Sequence, residues 1–243
     1  MTLKDKIIVL TGATGGIGRE LVEVLDKEGA QLVLVSRSEG ELQNLIKNLS
    51  GKNHTYFVAD LSDQEATIEL GKKISQKFKT VDVLINAAGV GIYKPIEDLE
   101  LKDWNNSLNI NLTSQFLMIK SLLDNLKAAE NSLVLSIGSG AGVIPMPGRS
   151  AYCVSKFAVR GLTLSLAKEF RGTKTDFCLI TLGSTLTSFG PMSLKDKKLK
   201  MENGKAYLTP SWVAEKMVEI IKDDNREVEY KLYPGDYSSG KNI

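Results

Sequence analysis

The sequence predicts a single α/β domain in which helices cover both faces of a doubly wound parallel sheet. Short β-branched apolar runs recur along the chain, and segments with helical periodicity separate them. Because these runs are apolar on both faces, they leave no side for water, which favours a buried parallel sheet. A length of 243 residues suits one large domain, so we expect a single unit over residues 1–243.

The predicted elements alternate between strand and helix from the N-terminus onward. We expect strands over residues 6–10, 31–36, 54–58, 81–86, 132–137 and 176–181, and helices over residues 17–28, 39–49, 64–78, 102–129 and 150–170. A helix near residues 212–221 follows Thr209 and Pro210, because proline in a first turn loses no useful N–H group. Residues 227–233 alternate charged and apolar side chains, which predicts a last strand at a sheet edge.

Two segments fall outside this alternation. Residues 184–207 form a connection of a length that is typical of a binding loop or lid. Residues 234–243, at the end of the chain, are predicted to be a loose tail. We therefore expect the first of these segments, and not the second, to cover a site.

Composition narrows the classes of function. A net charge of +2, spread along the chain, argues against nucleic acid, whose binders concentrate lysine and arginine, and indicates a small-molecule partner. The first apolar run is too short for a signal peptide or a membrane span, so we expect a cytoplasmic protein. Cys153 and Cys178 lack the spacing of a metal site and are expected in the core. The single histidine, His54, is predicted to be a strand residue and not a metal ligand.

A glycine-rich turn follows the first predicted strand and opens the first helix. It reads Thr11-Gly12-Ala13-Thr14-Gly15-Gly16-Ile17-Gly18. Glycines let the backbone approach a diphosphate closely, and the N-terminus of a helix offers free N–H groups and partial positive charge. The turn therefore predicts a dinucleotide site in a Rossmann-type sheet, although a glycine-rich turn can also serve only to end a strand.

The second predicted strand ends in Ser36-Arg37-Ser38, which bears on the choice between two cofactors. A carboxylate at this place would accept from the adenosine 2′-hydroxyl of NAD and repel the 2′-phosphate of NADP, but the sequence has none here. Arg37 can pair with that phosphate through two hydrogen bonds, and the two serines can donate to it. We therefore predict that NADP(H) is preferred over NAD(H); the alternative is that Arg37 is a solvated loop residue.

Tyr152 and Lys156 are the candidates for acid–base chemistry. Hydride transfer at a carbonyl carbon needs a proton partner at the oxygen, and a sequence with one histidine leaves tyrosine, lysine and carboxylates. The two side chains share one helix face, where the ammonium is expected to lower the phenol pKa. Ser139 follows a predicted strand and would hold the substrate oxygen. The alternatives are a buried tyrosine with an incidental lysine neighbour and a serine that caps a turn.

In their joint order these motifs resemble the short-chain dehydrogenase/reductase family over roughly residues 6–221. The matching positions are the glycine pattern from Thr11 to Gly18, Asp60-Leu61, Asn86-Ala87-Ala88-Gly89, Asn111 and the set Ser139, Tyr152 and Lys156. Three places differ from the family pattern: Leu182 stands where a proline is usual, Ala87 replaces a second asparagine, and residues 227–243 do not match the closing region that forms tetramer contacts.

The resemblance implies a role for each matched residue. Tyr152 would be the general acid or base, Ser139 the anchor of the substrate oxygen, and Lys156 a ligand of the nicotinamide ribose. Asn111 would hold a water that links Lys156 to solvent. The remaining matches would contact the cofactor: Asp60 and Leu61 at the adenine, Asn86, Ala87, Ala88 and Gly89 in the loop after the fourth strand, and Gly183, Thr185 and Thr187 near the nicotinamide.

The resemblance also implies an assembly. The predicted helices over residues 102–129 and 150–170 would pair across a twofold axis, which predicts a homodimer or a homotetramer.

The leading hypothesis is an enzyme that reduces a ketone, an aldehyde or a 3-oxoacyl group with NADPH, or runs the reverse reaction. An apolar pocket mouth could be lined by Tyr93, Ile144, Pro145, Met146, Pro147, Phe189 and Met192. The run from Lys195 to Lys200 is interpreted as solvated, or alternatively as a docking site for an acyl carrier protein. The other hypotheses are a catalytically silent NADP(H)-binding sensor and a nucleotide-sugar epimerase or dehydratase, which is typical of longer relatives.

Overall fold

The described residues form a seven-stranded parallel sheet. A computed structural model describes residues 1–51 and 53–235, with strands β1 (Ile7–Thr11), β2 (Gln31–Ser36), β3 (Thr55–Val58), β4 (Val83–Asn86), β5 (Ser132–Ile137), β6 (Thr175–Leu182) and β7 (Glu229–Leu232). The strand order is β3-β2-β1-β4-β5-β6-β7. The order reverses between β1 and β4, and Thr11 pairs with Asn86 at the carboxyl ends of these two strands. Ligands of such sheets bind at this reversal point.

Helices cover both faces of the sheet. They are α1 (Gly16–Lys27), α2 (Glu39–Lys47), α3 (Gln64–Lys77), α4 (Leu101–Leu108), α5 (Ser114–Ala128), α6 (Ser150–Glu169), α7 (Leu194–Glu202) and α8 (Pro210–Lys222). Leu21 of α1 and Met217 of α8 belong to the core on one face. Leu70 of α3 and Met118 of α5 belong to the core on the other face. The doubly wound α/β fold predicted from the sequence is confirmed.

The structure differs from the predicted elements in two places. The predicted helix over residues 102–129 is interrupted, because a π-helical turn, Asn109–Thr113, joins α4 to α5. The predicted loop over residues 184–207 contains α7, whose lysine-rich sequence has no apolar stripe to indicate a helix. β7 lies at the sheet edge beside β6, as predicted. The predicted loose tail lies outside the described residues from residue 236 onward.

His54 lies in a buried polar cluster just before β3, and not within the strand. Its Nδ1 accepts from the Leu32 N–H at 3.1 Å, and its Nε2 hydrogen-bonds to the Asp26 carboxylate at 2.9 Å. Burial opposes ionisation of Asp26, but hydrogen bonds from Ser50 and Gly51 outweigh it and lower the pKa of Asp26 to about 2. The histidine therefore ties the end of α1 to the β2–β3 connection.

Both cysteines are free and buried, as expected for core residues. Burial raises the pKa of the Cys178 thiol to about 12. Over residues 1–51 and 53–235, no helix combines the length and the apolar character that crossing a bilayer requires.

Candidate active site

The glycine turn after β1 forms a cradle at the N-terminus of α1. Gly12 has a φ of +71°, and a Cβ on it would lie 2.8 Å from the Cα of Ala88. A Cβ on Gly18 would collide with the Gly12 carbonyl oxygen. Gly15 precedes α1 without a capping side chain, so the first helical N–H groups can serve an anion. The cradle has the shape and the partial charge that a diphosphate needs.

The loop after β4 lies directly against this cradle. The Thr11 hydroxyl accepts from the N–H groups of Ala87 at 3.2 Å and Ala88 at 3.3 Å, which fixes the loop to the end of β1. Asn86 is only 1% exposed, and neither atom of its amide has a hydrogen-bond partner among the described residues. Buried amides are nearly always satisfied, so this orphaned amide fits a ligand or a water at the loop.

The predicted adenosine contacts lie together at the ends of β2 and β3. The hydroxyls of Thr14 and Ser36 are 2.6 Å apart, and Ser38 caps α2 by accepting from the Glu41 N–H. Arg37 is exposed. Hydrogen bonds from Ser62 lower the pKa of Asp60, and the charge of Arg37 lowers it further, which places the guanidinium near this carboxylate. Leu61 is buried in the core beside them.

Arg19 is a residue of this corner that the sequence interpretation missed. Its Nε donates to the Thr14 carbonyl at 2.9 Å, and its Nη2 donates to Glu41 at 2.9 Å. The side chain thus lies beside the Thr14–Ser36 hydroxyl pair. The signal in the sequence was a basic residue directly after Gly18, at the start of a helix that faces an expected phosphate.

Ser139, Tyr152 and Lys156 meet at the carboxyl end of β5. The side chain of Ser139 lies close enough to the Tyr152 phenol to act on its pKa. Its oxygen also accepts from the Ala141 N–H at 3.1 Å, so Ser139 caps the short turn Gly140–Gly142 as well. The Lys156 ammonium donates to the Ile137 carbonyl at 2.9 Å and lies 5.9 Å from the centre of the Tyr152 ring. The predicted catalytic set is therefore assembled in space.

The prediction of a lowered pKa for Tyr152 is wrong for this structure, because the net shift is upward. Tyr152 is 5% exposed, and its burial raises the pKa of the phenol, against smaller lowering effects of Ser139 and Arg149. Lys156 is 4% exposed, and burial lowers its pKa to about 8. Removal of water destabilises both charged forms and so favours the neutral phenol of Tyr152, which can act as a proton donor.

Asn111 lies in the π-helical turn and joins the loop after β4 to α6. Its amide oxygen accepts from the Val90 N–H at 2.8 Å, and its amide nitrogen donates to the Val90 carbonyl at 3.0 Å and to Ser155 at 2.9 Å. The Asn111 main-chain carbonyl accepts from the Gln115 amide at 2.9 Å. These contacts make Asn111 a positioning residue, and the water relay implied by the family stays a prediction.

The segment after β6 closes over the glycine cradle. A Cβ on Gly16 would lie 2.7 Å from the Thr187 methyl group, so Thr187 contacts the start of α1. Gly183 packs against Pro234, and Thr185 forms an isolated bridge with Leu208. The predicted contacts of Gly183, Thr185 and Thr187 with a cofactor stay a prediction, but the three residues lie in the segment that borders its expected site.

Lys197 of α7 holds this segment in place. It is 8% exposed, and its ammonium donates to the carbonyls of Thr187 at 2.7 Å and Phe189 at 2.6 Å. One member of the run from Lys195 to Lys200 is therefore internal, which corrects the interpretation of the whole run as solvated. Burial lowers the pKa of Lys197, and the charge of Lys205 lowers it further.

Aromatic rings enclose Tyr152. Tyr93 meets it edge-on with ring centres 5.3 Å apart, and Phe189 lies 5.8 Å away at a tilt. Met146 packs against the cluster that contains Tyr152, whereas Ile144 is 60% exposed. The predicted apolar mouth thus forms in part, and three of its members contribute the wall.

Comparison with known proteins finds one family and several relatives that are similar to this chain. Residues 6–198 match the family model described as short chain dehydrogenase. The chain is 30% identical over 190 residues to a D-threitol dehydrogenase of Mycolicibacterium smegmatis, covering 77% of this chain and 73% of the relative. It is 33% identical over 169 residues to a 3-oxoacyl-[acyl-carrier-protein] reductase of Buchnera aphidicola, covering 70% and 69% of the two chains.

A solved structure shares the whole fold. An alcohol dehydrogenase of the archaeon Thermococcus sibiricus, complexed with 5-hydroxy-NADP, superposes with a TM-score of 0.81 at 28% sequence identity. The match covers 94% of this chain and 96% of that one.

Proposed function

Because the chain belongs to the short-chain dehydrogenase family, we propose that it uses NADP(H) to interconvert a carbonyl compound and its alcohol, with Tyr152 as the general acid or base. As a member of that family it is an NAD(P)-dependent oxidoreductase. One observation carries the proposal: the Ser139–Tyr152–Lys156 cluster lies at the same edge of the sheet as the glycine cradle. A bound nicotinamide would supply or accept the hydride there.

The residues present fit such a cofactor. The cradle at Gly12 leaves no room for a side chain and lets a backbone-bound diphosphate approach, and the α1 N-terminus carries no cap of its own. Lys156 would bind the ribose, and Thr187, which contacts the start of α1, would border the nicotinamide end. A cofactor of this class is supported by the Thermococcus sibiricus enzyme, which is complexed with 5-hydroxy-NADP.

Tyr152 and Ser139 divide the work at the substrate oxygen. Ser139 would donate to the carbonyl oxygen and orient it, while the neutral phenol of Tyr152 would give up its proton as negative charge develops on that oxygen. The phenolate formed in this step would be stabilised by the buried Lys156 ammonium 5.9 Å from the ring centre. In the oxidative direction the Tyr152 phenolate would accept the proton from the alcohol as the carbonyl forms.

Arg37 is proposed to select NADP(H). We expect Arg37→Asp to weaken NADPH relative to NADH by roughly tenfold to a hundredfold, because a charge-assisted phosphate contact is replaced by repulsion. Dissociation constants of both cofactors, measured by fluorescence titration, check this result. Arg171→Asp, at another exposed arginine, is the matched control and should leave the ratio unchanged. An unchanged ratio in Arg37→Asp would contradict the role.

The activity itself is tested by following NADPH oxidation at 340 nm over ketones, aldehydes and 3-oxoacyl thioesters. We expect turnover of at least one class. Tight NADPH binding with no turnover of any carbonyl or alcohol would instead support the sensor hypothesis, which the assembled Ser139–Tyr152–Lys156 cluster argues against.

The proposed enzyme acts in the cytoplasm as a homodimer or homotetramer. Phe116 of α5 and Val154 and Phe157 of α6 are 43–45% exposed, and these apolar side chains suit the helix pairing that the family implies. Docking of an acyl carrier protein on the exposed lysines Lys195, Lys198 and Lys200 of α7 stays a proposal.

A further inference from the structure

Arg149 brings a positive charge to the wall of the proposed substrate pocket. It directly precedes α6, and its guanidinium carbon lies 4.4 Å from the centre of the Tyr93 ring. Tyr93 in turn meets Tyr152 with ring centres 5.3 Å apart. The distance from the guanidinium carbon to the centre of the Tyr152 ring is therefore at most the sum of these two distances. A short carbon chain can span it.

Within the part of the chain that the structure describes, no acidic side chain neutralises this charge. Arg160 and Arg226 pair with Glu229 and Asp176, each at 3 Å or less. By contrast, no carboxylate among residues 1–51 and 53–235 lies within ion-pair distance of Arg149. Its side chain donates one hydrogen bond, at 3.2 Å, to the sulfur of Met146, which is a weak acceptor. A guanidinium has five N–H donors, so most of the Arg149 donors make no hydrogen bond to these residues and can bind a ligand.

The charge acts inside the pocket. Burial raises the pKa of both Tyr93 and Tyr152, and the charge of Arg149 acts on both phenols in the opposite direction. Stacking on Tyr93 also restricts the rotation of the long side chain, which reduces the entropy lost when the guanidinium binds a ligand.

We infer that Arg149 binds an acidic group of the substrate, so that the preferred substrates are short oxo acids and the matching hydroxy acids. The carboxylate would form two parallel hydrogen bonds with the guanidinium, while the carbonyl, a few bonds away, faces Tyr152 and Ser139. Tyr93, Met146 and Phe189 would enclose the carbon chain that joins the carboxylate and the carbonyl of the substrate. This inference rests on the proposed function and adds the substrate class to it.

The first test compares each acid with its neutral ester. We expect the wild-type enzyme to show a higher kcat/KM for 3-oxobutanoate and 4-oxobutanoate than for their methyl esters. Arg149→Gln should lower the acid-to-ester ratio at least about tenfold, and Arg149→Lys should lower it less, because lysine keeps the charge and loses the paired donors. Arg171→Gln, the control for loss of an exposed arginine, should leave the ratio as it is.

Two outcomes would overturn the inference while leaving the proposed function intact. One is a wild-type enzyme that reduces the esters as well as the acids. The other is an Arg149→Gln enzyme that is active and keeps the wild-type ratio. If Arg149→Gln fails to fold, as judged by circular dichroism, the acid-to-ester ratio of the wild-type enzyme tests the inference. This ratio should decline as KCl is raised, because screening weakens the ion pair.

A second measurement needs no turnover. Calorimetric titration of the NADPH-loaded protein with butanedioate, which has no carbonyl to reduce, should detect binding that Arg149→Gln loses and Arg171→Gln keeps. Binding of this kind without reduction of any carbonyl would support the Arg149 site and count against the proposed reaction. Absence of butanedioate binding in a wild-type protein that reduces the esters would count against the Arg149 site alone.

Discussion

Replacing Tyr152 by phenylalanine is expected to lower kcat for carbonyl reduction by roughly a hundredfold to ten-thousandfold. The substitution removes the proton donor and keeps the ring that packs between Tyr93 and Phe189. Since burial favours the neutral phenol, its loss acts on proton transfer and leaves the glycine cradle untouched. NADPH affinity should therefore change by less than about threefold.

Steady-state rates and fluorescence titration of NADPH, measured on the same preparations, separate the two effects. Tyr93→Phe is the matched control, because it also removes one hydroxyl from the pocket wall and keeps the ring that Arg149 stacks on. We expect its kcat to stay within about tenfold of wild type. A Tyr152→Phe enzyme that still reduces the whole carbonyl panel at wild-type rates would show that the proton comes from another group.

Replacing Lys156 by methionine is expected to abolish most turnover and to change how stability depends on pH. The pKa of Lys156 is about 8 in the folded protein, against an ordinary value of 10.5. Below about pH 8 the folded chain bears the full cost of a buried ammonium. Between these two values the folded state has lost a proton that the unfolded state retains, so wild-type stability rises by about 3 kcal/mol.

Lys156→Met lacks this rise because methionine does not titrate. Urea unfolding at a series of pH values from neutral to alkaline, for wild type and variant, gives the difference directly. Lys198→Met, at an exposed lysine of α7, controls for the loss of a lysine elsewhere. Parallel pH profiles of wild type and Lys156→Met would mean that Lys156 is not desolvated as the structure places it.

Much of the fold could be predicted because its signals are local. The predicted strands over residues 31–36 and 132–137 coincide with β2 and β5. The glycine turn and the Tyr152–Lys156 spacing are also contained in short windows, and the structure brings both to one edge of the sheet. The sequence did not predict α7, which has no apolar stripe. It also did not predict the π-helical turn that interrupts the long periodic run over residues 102–129.

The sequence by itself determined the strand–helix alternation, the glycine cradle and the identity of the catalytic candidates, since spacing along one strand or helix decides which residues share a face. Only the tertiary structure decided that burial favours the neutral phenol of Tyr152 and that Lys197 is buried against the segment after β6. It also decided that Arg149 stacks on Tyr93 with no acidic partner among residues 1–51 and 53–235. Desolvation and charge act through space, between segments that are far apart in the chain, so no local pattern records them.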